Sequence, residues 1–183
     1  MIYDATYYTS PSAAWSQLPC DSYDFGSAWD LARFESGVAG MLALGVSSFM
    51  YDIQAETPAA RAIVAQWAAW FKLHRAVLAT GDVIHVARPN GQDVDVVVRA
   101  RVGEPVPGLI ILTNPSAADA TLGALVVPLY YTGAAGGSSV LVGWGGAPGT
   151  PVALDWRARA VFTNVTVPAR GLAWATVELV GEE

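Results

Sequence analysis

One change of period constrains this chain more than any other feature. Before about residue 80, apolar side chains recur at helical spacing; beyond it they alternate. Ile63, Trp67, Trp70, His74 and Val77 form one helical series, and Val64, Phe71 and Leu78 form a second beside it. Arg61, Gln66, Lys72 and Arg75 fall largely between them. Thr57 suits the N-cap and Pro58 the first helical position, where a missing N–H costs nothing. Gly81 suits a left-handed residue past the helix end. The spacing therefore predicts a helix over 58–80, with two Trp and a Phe that need a large apolar cover. The period then becomes two. Val94, Val96, Val98, Ala100 and Val102 alternate with Asp93, Asp95, Arg99 and Arg101, which predicts a strand with one wet face. Asn90-Gly91 ahead of it is a hairpin signal.

The pattern on either side of this junction differs. Residues 27–45 read as a helix with Leu31, Phe34, Val38, Met41 and Leu42 in its apolar stripe. Gly37 and Gly40 would let another element approach it closely. Residues 1–8 are a short aromatic segment suited to a strand. Residues 9–26, rich in Ser, Pro and Asp, read as a long loop holding Trp15. Residues 46–51 read as a buried strand ending at Asp52. Helix, strand, acidic loop and long helix follow the rhythm of a βα repeat, yet two such units cannot close a barrel that needs eight. From Val83 onward, strands are expected over 83–88, 93–102, 108–113, 120–129, 139–144, 152–155, 161–167 and 172–179, the spacing of an all-β sandwich. Leu109 to Leu112 are apolar throughout, as for a central strand. Val161, Val165 and Val167 are expected on one face, with Asn164 and Thr166 on the other.

Composition excludes several classes. Of 183 residues, 53% are hydrophobic and 14% charged, a balance that favours a sizeable core over disorder. The net charge of −6 and the lack of a basic patch argue against a nucleic-acid partner. The longest apolar run, 37–50, is broken by Gly and Ser and too short to span a bilayer, so no membrane partner is expected. Met1 is not followed by the charged and apolar regions of a signal peptide. Cys20 is the single cysteine, which excludes an internal disulfide. Two His and one Cys are too few for a zinc site unless carboxylates contribute, and no cofactor is expected.

An ordered set of motifs carries a family resemblance. Trp67, Trp70-Phe71, His74-Arg75 and Val77-Leu78 lead into Gly81-Asp82-Val83-Ile84-His85. Arg88-Pro89-Asn90-Gly91-Gln92-Asp93 and Asp95 follow, then Gly108-Leu109, Thr113-Asn114-Pro115 and Val127-Pro128-Leu129-Tyr130-Tyr131-Thr132-Gly133. This succession resembles the junction in α-galactosidase-like (melibiase-type) glycoside hydrolases, where the last helix of a (β/α)8 barrel runs into a C-terminal β-sandwich. Asn90 stands where such proteins are expected to show Asp, and Arg99 to Arg101 stand where they show a His-Val-Asn-Pro-like run. Both departures lie in the sandwich. The resemblance implies an α+β chain: residues 1–80 as the end of a barrel, with helices near 27–45 and 58–80, and residues 81–183 as an antiparallel sandwich of about eight strands. It also implies that the nucleophile and acid/base carboxylates come from barrel strands upstream, so no catalytic residue is assigned here.

The candidate site residues are few. Asp52 would stand at the C-terminal rim of a barrel strand, where barrel enzymes bind substrate; an Asp in a loop leading into a helix is the commoner reading. Trp15 could stack on a sugar, or belong to the core. Asp93, Asp95 and Gln92 have oxygens for calcium, but their alternation with Val94 and Val96 reads as a solvated strand face. His74 and His85 read as hydrogen-bonded structural residues rather than bases. Ser10, Ser12 and Ser16 have no His or acid at informative spacing. Asn164-Val165-Thr166 is a glycosylation sequon, usable in a secreted and exposed setting. A secreted or endomembrane full-length form would fit it, though nothing fixes the compartment. The expected function is that of a C-terminal fragment of a carbohydrate-active hydrolase, inactive by itself, with self-association through its uncovered barrel end. The alternative is a non-catalytic sandwich that binds carbohydrate or a protein.

Overall fold

The computed structural model of the chain describes residues 15–17, 26–45, 48–50, 57–88 and 90–180, with 15–17 and 48–50 described by their backbone. The expected strand at 1–8, together with Cys20 and Asp52, lies outside these residues. The chain forms two compact units, Met1–Ala79 and Thr80–Glu183.

In the first unit, β1 (Trp15–Gln17) runs parallel to β2 (Ser48–Met50), with Trp15 opposite Ser48. Helix α1 (Ala28–Ala43) lies between them in sequence, so the order is strand, crossover helix, parallel strand. Residues 9–26 are thus not wholly loop: they hold β1, which is too short and too polar in context to show a period. Helix α1 starts where Ser27 Oγ accepts from the Asp30 amide at 3.4 Å. It ends where Gly45 turns left-handed at φ 81° and donates to the Leu42 carbonyl. Phe34, Val38, Met41 and Leu42 are buried along its expected stripe.

The helix expected over 58–80 is two helices. Helix α2 spans Pro58–Leu73 and α3 spans Arg75–Thr80. Thr57 Oγ1 caps α2 by accepting from the Ala60 amide at 3.3 Å. At His74 (φ −105°, ψ 12°) the backbone leaves the helical region. The His74 carbonyl then accepts from both Val77 and Leu78, so a tightened turn restarts the ladder. Gly81 does not take the left-handed conformation expected of it. Trp67 and Phe71 are buried, Trp70 half-buried. Trp67 Nε1 donates to Glu35 of α1 at 3.1 Å, and the Trp67 and Trp70 rings meet edge to face at 5.4 Å.

The second unit holds eight antiparallel strands in two sheets. They are β3 (Asp82–His85), β4 (Asp95–Ala100), β5 (Gly108–Thr113), β6 (Ala120–Pro128), β7 (Ser139–Trp144), β8 (Thr150–Ala153), β9 (Arg159–Val167) and β10 (Leu172–Leu179). Six form one sheet in the order β3-β4-β5-β10-β7-β8; β6 pairs with β9 in the other. Their inner faces share one core, with Val96, Val98, Ile110, Leu112, Val140, Val142, Ala175 and Val177 from the large sheet and Leu125, Val127, Ala160, Phe162 and Val167 from the small one. Asn114 is buried at the end of β5, and its amide donates to the Ala118 carbonyl at 2.8 Å and the Val167 carbonyl at 3.1 Å. That bond ties β5 to the end of β9, a structural use for the Thr113-Asn114-Pro115 motif.

Three expectations need correction here. Strand β4 has no wet face: Val97 and Arg99 are buried opposite Val96 and Val98. Burial pushes the Arg99 guanidinium down to about 10, against the opposing pull of the Asp82 carboxylate. The edge strand β8 lies two residues early, because Asp155 is taken by a turn. Its Oδ1 accepts from the Arg157 and Arg159 amides at 2.8 and 2.9 Å, and its Oδ2 from Arg159 Nε at 2.7 Å. Finally, Val161 does not share a face with Val165 and Val167; it is 55% exposed.

Candidate functional site

Of the sequence-derived candidates, Asp52 lies outside the described residues, and Trp15 opens β1 with only its backbone described. Asp93, Asp95 and Gln92 are engaged separately. Asp93 Oδ2 accepts from Asn90 Nδ2 at 2.6 Å, and the Gln92 amide donates to Asn90 Oδ1 at 2.9 Å. Asp95 Oδ1 lies 4.0 Å from His85 Nδ1. Burial pushes the Asp95 carboxyl up, while His85 and the Val96 amide oppose the shift. Among the described residues no group of three or more His, Cys, Asp or Glu is placed to hold a metal. His74 is the buried C-cap of α2, and burial pushes its imidazole down, towards the neutral form. Asn164 and Thr166 of the sequon are exposed on β9.

One concavity among the described residues belongs to the second unit. It is an open groove of about 520 Å³ lined by Trp144, Gly145, Thr163 to Thr166, and Leu172 to Trp174. Its shape follows from a local event in the small sheet. Asn164 is left-handed at φ 55°, and its place in the β6–β9 register is opposite Gly123. On both strands the inward parity changes at this point: Phe162 and Leu125 are buried on one side of it, Val165 and Leu122 turn inward on the other. The change leaves Thr163, Asn164 and Thr166 exposed.

The opposite wall is aromatic. Trp144 ends β7 and pairs with core residue Ala175, so it points to the inner face; Trp174, next along β10, points to the other. Both residues line the groove, but from adjacent strands: the Trp144 indole is on the inner face of the large sheet and the Trp174 indole on the other. Trp144 stands edge to face with Phe162 at 5.5 Å. Trp174 lies over Gly146, where a Cβ would come within 3.5 Å of the ring, and its carbonyl accepts from the Gly145 amide. Both glycines are left-handed, at φ 59° and 85°. Thr166 and Thr121 share a hydrogen bond at 2.9 Å across the small sheet. Two other tryptophans differ: Trp29 and Trp156 are exposed, with Arg33 and Arg157 stacked over their rings at 4.7 and 4.3 Å.

Sequence reasoning placed Trp144, Trp174 and Asn164 on strands without joining them into a site. The available signals were Trp144 followed by Gly145-Gly146, and an Asn inside a strand of β-branched residues.

The fold is thus that of an α+β chain with a parallel βα portion followed by an antiparallel two-sheet portion, an arrangement found in parts of glycoside hydrolases. No family model and no curated protein matches the chain. Among solved structures it is similar to AmyP in complex with maltose, with a TM-score of 0.56, 9% identity, and coverage of 89% of this chain and 38% of that one. It is also similar to α-galactosidase I from Mortierella vinacea, with a TM-score of 0.51, 11% identity, and coverage of 91% and 40%. The chain thus spans about two fifths of the length of these structures.

Proposed function

We propose that this chain is the C-terminal part of a carbohydrate-active glycoside hydrolase of α-galactosidase-like type. Residues 1–80 would supply the last βα elements of a (β/α)8 barrel, and residues 81–183 the sandwich that supports it. The observation that carries this reading is the succession β1, α1, β2, α2: parallel strands joined by a crossover helix, followed by a self-contained antiparallel sandwich. On this reading the nucleophile and the acid/base come from barrel strands outside this chain. The complete protein then performs retaining hydrolysis through a covalent glycosyl intermediate. Asp52 comes two residues after β2 in sequence, and on this reading it would serve the strand end where barrel enzymes bind substrate. Trp15 opens β1 at the opposite end of the strand pair, which makes Asp52 the stronger substrate-binding candidate. Uncovered barrel elements would favour self-association of the chain.

The purified chain is expected to leave aryl α- and β-glycosides intact. Turnover that disappears in an Asp52→Asn variant would contradict the proposal and give Asp52 a catalytic role. The second reading, a non-catalytic carbohydrate-binding sandwich, is favoured by one observation, the tryptophan-lined groove.

A further inference from the structure

We propose that the groove lined by Trp144, Trp174 and the Thr163 to Thr166 segment binds a neutral saccharide. One pyranose ring lies with its C–H face along the Trp144 indole, and its hydroxyls bond to Thr163 and Asn164. The inference deepens the carbohydrate-active reading and rests on it for the class of ligand.

The lining sets that class. None of the nine residues carries a charge, so neither an anionic nor a cationic ligand finds a counter-ion there. The surface joins aromatic area to short neutral hydrogen-bonding groups. An amphipathic ring with an apolar face and a hydroxylated edge matches both; a purely apolar ligand would strip water from the Thr and Asn groups without replacing it. The groove's 520 Å³ falls within the roughly 300–1,000 Å³ usual for small-molecule sites. Exposed Thr163 and Asn164 make no side-chain hydrogen bond among the described residues and remain available to a ligand.

The walls are also held in advance. Trp144 is fixed by Phe162, Trp174 lies over Gly146, and Thr166 is tied to Thr121. A preformed site spends less binding free energy on ordering its side chains. Asn164 keeps a left-handed backbone that costs little in Gly and more in other residues. A polar side chain is thereby held at the groove wall, at a position where glycine would relieve the backbone.

The test is calorimetric titration of the whole 183-residue chain with maltotetraose and with an α-linked galactose disaccharide, with an oligogalacturonate as the charged counterpart. Saturable binding of a neutral sugar is expected, with a Kd on the order of 0.1–10 mM. Trp144→Ala should weaken it by about tenfold or more. Thr163→Val and Asn164→Gly should each weaken it by about 2–10-fold. These last two preserve side-chain shape and backbone conformation respectively, so they decide the matter if Trp144→Ala fails to fold. No saturation by either neutral sugar at about 50 mM overturns the proposal. So does binding that Thr163→Val and Asn164→Gly leave unchanged, or a preference for the charged oligomer. Because no hydrolysis is read, failure here leaves the placement of the chain beside a barrel standing. Turnover dependent on Asp52 would instead remove that placement and leave the groove result intact.

Discussion

Asn164 shows how one residue can redirect a face of the protein. Its left-handed backbone lies opposite Gly123, and both strands change inward parity there, which puts Val161 in solvent and gathers Thr163, Asn164 and Thr166 at the groove. Alternation read along β9 alone assigns Val161 inward, because nothing in one strand reports that its partner turns over at the same point. Asp95 is legible in part: its strand was expected, its burial was not. Its carboxyl is pushed up by burial, so the folded state binds a proton that the unfolded state has already lost. The resulting stability is present at low pH and falls as pH rises from the ordinary carboxylate range through the raised value. Asp95→Asn should remove that part of the pH dependence and be more stable than the wild type at neutral pH. Urea unfolding at a series of pH values reads this directly. A variant less stable at neutral pH would mean that attraction to His85 outweighs burial.

Elements were legible where their period was uninterrupted. Strands β5, β7 and β10 have the bounds their sequences imply, since Leu109 to Leu112 are apolar throughout and glycines and prolines flank the others. The caps of α1 and α2 follow from Ser27, Gly45, Thr57 and Pro58 for the same local reasons. The break at His74 was hidden, because no Gly or Pro marks it and the buried series Trp67, Phe71, His74 and Leu78 continues through it. Strand β1 was hidden by its brevity. Within the first unit, Trp67 joins α2 to α1 through Glu35. Trp67→Ala is expected to cost about 3–5 kcal/mol in denaturant unfolding. Trp67→Phe, which keeps a ring and drops the hydrogen bond, should cost roughly 1 kcal/mol. A loss below about 1 kcal/mol for the alanine variant would contradict a stabilising role for this ring.

At the scale of the whole molecule, the two units are built on different plans. The sandwich draws its core from its own residues, from Val96 in β4 to Val177 in β10. The first unit has a pair of three-residue parallel strands with helices around them in sequence. Parallel strands are ordinarily covered on both faces by further βα units. The groove was the least legible part of the molecule, since its walls come from β7, β9 and β10 and meet only once both sheets have formed. The central proposal is that a self-sufficient sandwich follows the end of a barrel. Native-state hydrogen exchange on the monomer tests it most directly. The account predicts the slowest exchange in β4 and β5, approaching the rate of global unfolding, and exchange faster by about tenfold or more in α1 and β2. Equal protection in both units would contradict it and make the first unit an integral part of one complete domain.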